Sequence, residues 1–399
     1  MTALALQKGT PWPIRCMQLA MAVVVTWTFV VAPALAQGFQ TRAKQAILID
    51  ADTGAVLFER NADERMHPAS MSKLMTLVMA FKALRSGRLK MEDEIVMSVN
   101  AWRNGGAPSG TSAMMVPVGE KVTVSELLQG IIVQSGNDAS IAIAETLAGT
   151  EEAFAELMTK HAREIGLTSS AFKNSTGLYH PEHLMTARDL ALLAKHVIQE
   201  YPEFYPMFAQ PDFRYRRHRF INRNPLLNAD LGVDGLKTGY IKESGYGIVA
   251  SAKQDNRRLI VVVNGLDTAA ARREEARKLL EWGFRAFGEF RLFNEGEVVA
   301  RARVWGGDQF YVPLTGGPDG VQVWLPRAVA NQQLKAEIIY DSPLKAPIKK
   351  GDPVAKLRVK SAWNTTSEVP LYAAEDVARA GPMRRGLDTL AYMAFRWIP

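Results

Sequence analysis

Apolar, strand-forming runs at 46–49 and 55–58 are followed by a long helical block, and strand-forming runs return at 233–239, 246–252 and 258–265. Asp52-Thr53-Gly54 turns the first pair back on itself. A two-stranded ribbon is marginal in water on its own. The early pair therefore belongs to one sheet with the late strands. The first domain is an α/β (α+β) unit whose sheet joins both of its chain ends, with a helical subdomain between them.

The helical block has internal punctuation. Pro68-Ala69-Ser70 leads into a helix whose apolar positions Leu74, Leu77, Val78, Phe81 and Leu84 recur at helical spacing. Thr123-Val124-Ser125-Glu126 has the form of a capping box that opens another helix. Ser135-Gly136-Asn137 interrupts that helix. A second begins near Asp138 and carries Ile141, Ala144 and Leu147. Further helices are expected at 187–199 and 268–285.

At 399 residues the chain exceeds one ordinary domain. Its texture changes near 289. From there to about 373, short strands at 298–305, 309–312, 321–325, 336–340 and 354–359 alternate with Gly, Pro and Asp turns, the pattern of a small all-β module. The last segment is helical again. Leu387, Leu390, Ala391, Ala394, Trp397 and Ile398 fall on one face, and Arg385, Asp388, Thr389, Tyr392 and Arg396 on the other. It is too short and too charged to span a bilayer. Two placements remain, docked on its own protein or lying in a membrane interface. Trp397 with Arg384, Arg385 and Arg396 favours an anionic interface.

At the N-terminus, Lys8 and Arg15 precede an apolar run from Met17 to Val31 and the small-residue site Ala34-Leu35-Ala36. This is the form of a secretory signal cleaved to leave Gln37 at the new N-terminus, and the run is short for a retained span. Cys16, the sole cysteine, lies inside that segment and ahead of its apolar run, so the exported chain has neither disulfide nor thiol nucleophile. The net charge of +7 gives a mildly basic surface that suits an anionic polymer or lipid. No Lys/Arg block interleaved with aromatics points to nucleic acid. His180-Pro181-Glu182-His183 lacks a third ligand and reads as a polar loop, so no metal site is expected.

Three short motifs follow one another: Ser70-Met71-Ser72-Lys73, Ser135-Gly136-Asn137 and Lys237-Thr238-Gly239. They match the S-x-x-K, S-x-N and K-T-G set of penicillin-binding proteins and serine β-lactamases. Ser-x-x-Lys also occurs at 170–173 and 342–345, and Ser-x-Asn at 98–100, whereas Lys-Thr-Gly occurs once. Context separates the copies, because only Ser70 opens a strongly apolar helix. A serine hydroxyl needs a neighbouring base. Lys73, one turn on, shares its face and can serve if burial and a nearby cation such as Lys237 lower its pKa. Ser135 can relay a proton to a leaving amine. Asn137 can hold a substrate amide or cap the helix starting at Asp138. Lys237 and Thr238, on a strand whose edge an extended peptide can join, can bind a terminal carboxylate. Gly239 lets that edge approach closely.

With Asp50-Ala51-Asp52-Thr53-Gly54, Gln134-Ser135-Gly136-Asn137-Asp138-Ala139, Thr186-Ala187-Arg188-Asp189, Asn222-Arg223-Asn224 and Asp234-Gly235-Leu236-Lys237-Thr238-Gly239-Tyr240, the chain resembles the low-molecular-weight penicillin-binding proteins that are D-alanyl-D-alanine carboxypeptidases, over essentially residues 40–399. The resemblance implies a β-lactamase/transpeptidase-like catalytic domain (37–288) after a signal peptide (1–36), a β-rich domain (289–378) and an amphipathic membrane-anchoring helix (379–399). It implies that Ser70 is acylated by the penultimate D-alanine carbonyl, that Lys73 is its base, and that Arg223 assists Lys237 and Thr238 at the substrate carboxylate. Backbone N–H groups of Ser70 and Tyr240 would form the oxyanion hole. The implied partners are peptidoglycan stem peptides, β-lactam antibiotics as covalent inhibitors and anionic inner-membrane lipids. No cofactor is implied, and the implied location is the periplasmic face of the cell inner membrane. Many relatives carry a histidine after Lys-Thr-Gly where this chain has Tyr240, which changes the side chain beside the acyl-enzyme. A β-lactamase and a D,D-endopeptidase share the motif set and stand as alternatives, as does a wall-binding scaffold with a silenced site. The β module and terminal helix weigh against the first, and the intact motif set against the last.

Overall fold

The computed structural model describes residues 39–327, 334–361 and 365–395. The export signal expected at 1–36 lies outside the described residues, as do Arg396, Trp397 and Ile398 of the expected terminal helix.

The catalytic-side sheet is built as the strand spacing implied. β1 (Gln45–Asp50) pairs antiparallel with β2 (Val56–Arg60). Its other edge pairs antiparallel with the late strand β5 (Arg257–Leu266), in register from Gln45↔Asn264 to Asp50↔Leu259. β4 (Gly245–Gln254) and β3 (Val233–Ile241) complete the order β2-β1-β5-β4-β3. Every residue of β1 is buried, so both of its faces are covered. Ile47 and Ile49 point into the helical core, while Leu48 meets the terminal helix of the domain at Gly283.

Six helices make up the interior block. They are α1 (Lys73–Arg85), α2 (Val99–Gly105), α3 (Val124–Gln129), α4 (Asn137–Ala148), α5 (Glu151–Glu164) and α6 (Ala187–Glu200). α7 (Ala269–Ala286) lies across the other side of the sheet. α1 is buried almost all round, and Phe81 anchors it by stacking on Phe204 at 4.8 Å. A 3-10 turn, Ala69–Ser72, precedes α1, and Ala69 holds a left-handed φ of 49°. The Thr123/Glu126 capping box opens α3 as expected. The expected break at 135 is a π-type turn, Gly130–Gln134, ended by Ser135 at φ 65°. α5 had a legible signal that the sequence reading passed over: Thr150 caps it, Glu151 and Glu152 occupy its first turn, and Phe154, Ala155, Met158 and Ala162 form its buried face.

The β-rich module begins with β6 (Phe287–Phe293), followed by β7 (Val298–Trp305), β8 (Tyr311–Thr315), β9 (Val321–Pro326), β10 (Lys335–Ile339), β11 (Pro353–Lys360) and β12 (Thr366–Ala373). Its own core gathers Val304, Val312, Leu314, Val323, Leu357 and Leu371. The sequence reading did not single out β12, because Pro370 interrupts its pattern; its neighbour β11 pairs through that position with Lys356. Several contacts join the module to the first domain, among them an Arg327 N–H donating to the Ala286 carbonyl at 2.8 Å. Thr366 pairs with Val56, and the Arg257 guanidinium lies 3.7 Å from the Trp324 ring centre. The last helix, α8 (Pro382–Phe395), follows.

Candidate active site

The 3-10 turn, the break at Ser135 and strand β3 bring the three motifs to one place. Lys73 Nζ donates to Ser70 Oγ (3.1 Å), Asn137 Oδ1 (2.6 Å) and the Thr176 carbonyl (2.5 Å). The Lys73 side chain is wholly buried. Burial lowers its pKa to about 7, and the Arg223 guanidinium adds to the effect. The nearby acids Glu151 and Asp138 act the other way. Glu151 accepts from the Ser175 N–H and hydroxyl, and Asp138 from the Met114 and Val116 amides. Burial pushes Lys237 well below the ordinary lysine range, and repulsion from Lys73 and Arg223 adds to it. Lys237 was expected to be the cation acting on Lys73; the guanidinium of Arg223 takes that part instead, and the repulsion between the two lysines falls on Lys237.

Asn137 does not cap α4. Gly136 holds the cap position without a side-chain bond, and the Asn137 oxygen is committed to Lys73. The amide is oriented from its other end, because Nδ2 donates to Thr111 Oγ1 at 2.8 Å. The Asn137 backbone N–H donates to the Ser112 carbonyl at 2.7 Å, tying this loop to the helix start. Thr176 is held in turn by Asn174, whose Oδ1 accepts from the Thr176 and Gly177 amides. Gly177 has φ 76°, and a Cβ there would fall 2.0 Å from the Ala69 carbonyl oxygen. Only glycine lets this loop press on the Ser70 turn.

Ser135, buried and in a left-handed conformation, has an Oγ with no hydrogen-bond partner among the described residues. Gly239 brings β3 against the same turn, since a Cβ on it would lie 2.9 Å from the Pro68 oxygen and 3.1 Å from Ala69 Cβ. The cleft between these parts has a volume of about 380 Å³. Ser70, Ser135, Arg223, Thr238, Gly239 and Tyr240 line it, together with Ser112, Tyr246 and Arg272. No carboxylate is in that lining. Arg223 donates to Ser112 Oγ at 2.7 Å, and neither it nor Arg272 has an ion-pair partner among the described residues. Tyr240 is half exposed and packs against Tyr246, with ring centres 4.2 Å apart and the rings tilted by 30°.

The duplicate motifs have other work. Ser98 caps α2 and donates to Glu145, Ser170 donates to the buried Asp189, and Ser342 lies exposed on a loop. His183 is buried with its Nδ1 accepting from the Lys173 amide, and burial lowers its pKa to about 3. Sequence reasoning missed Thr111, Ser112, Thr176, Tyr246 and Arg272. Thr176 acts through a carbonyl, which no side-chain motif reports. Tyr246 was accessible through hairpin register, because the tight turn pairs it with Tyr240.

Residues 30–268 match the D-alanyl-D-alanine carboxypeptidase family, and residues 287–379 match the C-terminal domain of penicillin-binding protein 5. The chain is similar to the D-alanyl-D-alanine carboxypeptidase DacC of Escherichia coli (strain K12), at 39% identity over 359 residues and 89% of each chain. Among solved structures it is similar to penicillin binding protein 5 of Haemophilus influenzae, with a TM-score of 0.72 and 34% identity, covering 86% of this chain and 100% of that one. It is also similar to penicillin-binding protein D2 of Listeria monocytogenes in its ampicillin-bound form, with a TM-score of 0.54 and 27% identity, covering 62% of this chain and 100% of that one.

The Lys73 environment makes a prediction that requires no substrate. In protein carrying isotope-labelled lysine, the resonance lost in Lys73→Met is expected to titrate near pH 7, against 10.5 for an ordinary lysine. A midpoint in the ordinary lysine range would contradict the described burial.

Proposed function

The chain belongs to the D-alanyl-D-alanine carboxypeptidase family, and within that serine-peptidase activity we propose that Ser70 is the nucleophile and Lys73 its base. The observation that carries this assignment is the Lys73 Nζ–Ser70 Oγ contact of 3.1 Å. In the uncharged amine, two N–H bonds go to acceptors that cannot donate, Asn137 Oδ1 and the Thr176 carbonyl. The lone pair then takes the remaining tetrahedral direction, toward the serine hydroxyl. With a pKa of about 7, a large share of Lys73 is in that form at neutral pH.

In the proposed reaction, Lys73 takes the hydroxyl proton as Ser70 Oγ attacks the penultimate D-alanine carbonyl. The oxyanion rests on the backbone N–H groups of Ser70 and Tyr240. The close backbone approach of Gly239 to Pro68 and Ala69 supports this reading, because it joins the two segments that supply those donors. Collapse of the intermediate breaks the C–N bond. The Ser135 hydroxyl, with no hydrogen-bond partner among the described residues, passes its proton to the departing amine of D-alanine and takes the proton held by Lys73 in return, which leaves Lys73 uncharged. Water then attacks the acyl carbonyl as uncharged Lys73 takes its proton, and the Ser70 Oγ–C bond breaks with that proton delivered to Ser70 Oγ. Arg223, Thr238 and Lys237 receive the substrate carboxylate, and Asn137 faces its amide. A carboxylate arriving there offsets the mutual repulsion of cations that have no acid partner in the cleft lining. The substrate is the peptidoglycan stem peptide. A β-lactam acylates the same serine, a reading supported by the fold shared with the ampicillin-bound relative. The β module's match to the penicillin-binding protein 5 C-terminal domain favours a carboxypeptidase over a β-lactamase.

The remaining parts complete the proposal. Residues 1–36 direct export and are removed, 37–288 carry catalysis, 289–378 form the β domain, and 379–399 attach the protein to the periplasmic face of the inner membrane. The membrane reading draws support from the way α8 sits. Its polar residue Asp388 accepts from the Gly306 amide at 3.0 Å, while Met383 and Leu390 are 85% and 66% exposed. A helix docked by its apolar face would show the reverse.

Labelled penicillin is expected to attach to the wild-type protein and not to Ser70→Ala, with D-alanine release from a soluble D-Ala-D-Ala peptide falling by about 10⁴-fold or more. Equal labelling of both proteins would overturn the assignment. Fast turnover of benzylpenicillin with no D-alanine release would favour the β-lactamase alternative, and cleavage of defined cross-linked muropeptides would identify an endopeptidase. Deleting 383–399 is expected to move the protein from the membrane to the soluble periplasmic fraction, and unchanged fractionation would remove the anchor.

A further inference from the structure

The polar side of α8 is already occupied. Asp388 accepts from the Gly306 amide, Arg385 runs alongside Gly306, and Thr389 lies in a cleft with Trp305 and Tyr340. Positions 385, 388 and 389 share one helix face. Positions 383 and 390 lie on the opposite one, where Met383 and Leu390 stand exposed. On the flank between the two faces, the Arg384 guanidinium lies over the Phe310 ring, 4.4 Å from its centre. Phe310 and Tyr311 lie at the turn end of the β7–β8 hairpin, where the Phe310 carbonyl accepts from Val304 and Tyr311 pairs with Arg303, and they are 57% and 54% exposed. Large exposed apolar side chains from two separate elements thus flank the Arg384–Phe310 contact at one end of the β module.

We propose that the Phe310–Tyr311 tip is a second membrane-contacting element, which enters the interface of an anionic bilayer beside α8. The proposal rests on the reading of α8 as an anchor. Three observations favour lipid as the occupant. The patch is continuous with the exposed face of α8 through the Arg384–Phe310 contact. Its aromatic residues are of the kind that settles at the headgroup level, where an arginine keeps its charge in water and its stem on apolar surface. Its charges are mainly positive. Arg379, Arg384 and Arg385 border the tip, against Asp308 and an Asp388 whose carboxylate is taken up by Gly306. A helix attached alone leaves the β module free to swivel. A helix and a hairpin tip held together by the Asp388–Gly306 bond fix its tilt on the membrane.

The chain from Gln37 onward contains no cysteine, since Cys16 is the only one in the sequence. A polarity-sensitive fluorophore can therefore be placed singly through Phe310→Cys, or through Val298→Cys at the other end of the same hairpin, where Val298 pairs with Thr315. With phosphatidylglycerol–phosphatidylethanolamine vesicles, the label at 310 is expected to shift to the blue and brighten, and the label at 298 to stay unchanged. The double variant Phe310→Ser, Tyr311→Ser is expected to bind these vesicles about tenfold more weakly and to hydrolyse a soluble peptide at the wild-type rate. Wild-type-like vesicle affinity of the double variant, or a silent label at 310 on vesicle-bound protein, overturns the tip while leaving the helical anchor standing. Failure of the wild-type protein to bind, or undiminished binding after deletion of 383–399, removes the anchor reading and the tip with it.

Discussion

The burial of the Lys73 amine, with no carboxylate bonded to it, is the constraint on which the site depends. Holding that group charged costs about 5 kcal/mol relative to water. The surrounding chain is arranged so that the uncharged form is well accommodated. The Thr176 carbonyl and Asn137 Oδ1 accept two of its N–H bonds, and Ser70 Oγ lies on the third side. Each of these partners is itself pinned, Thr176 by Asn174, and Asn137 by Thr111 and the Ser112 carbonyl. The left-handed conformations at Ala69, Ser135 and Gly177 belong to the same arrangement, because they allow three chain segments to converge on one amine. Backbone strain of this kind persists where surrounding packing over-determines it, and active sites are where it collects.

The cleft is also electrostatically incomplete. Arg223 and Arg272 line it, Lys237 lies next to it, and no acid is in its lining. In the proposed reaction a substrate ending in a carboxylate supplies the missing charge, and holding that end presents the neighbouring peptide bond to Ser70. This is binding energy from one end of a substrate used to position the other.

Much of this was legible in the sequence, and the reasons differ by residue. Strand placement followed from apolar runs bounded by turn residues, so the joining of early and late strands in one sheet was legible, while the pairing of β1 with β5 was not. Ser70, Lys73, Ser135, Asn137 and Lys237 were accessible because their chemistry resides in side chains at fixed spacing. The roles of Thr176 and Ser112 were not, since Thr176 acts through a backbone carbonyl, and Ser112 through its carbonyl and a hydroxyl placed by tertiary contacts. Arg272 gave no signal because its place in the cleft comes from the way α7 crosses the sheet. Asn137 carried two readings in sequence, cap and ligand, and the geometry at Gly136 separates them. β12 was hidden by Pro370, which in a strand ordinarily argues against pairing.

The proposed chemistry depends on uncharged Lys73 activating Ser70. The most direct test is the pH dependence of the second-order rate constant for acylation by a β-lactam. The rate is expected to climb with pH up to about 7 and level above it, because the reactive form of Lys73 is its deprotonated one. A rate independent of pH across that midpoint, or a Lys73→Met protein acylated as fast as the wild type, would contradict it.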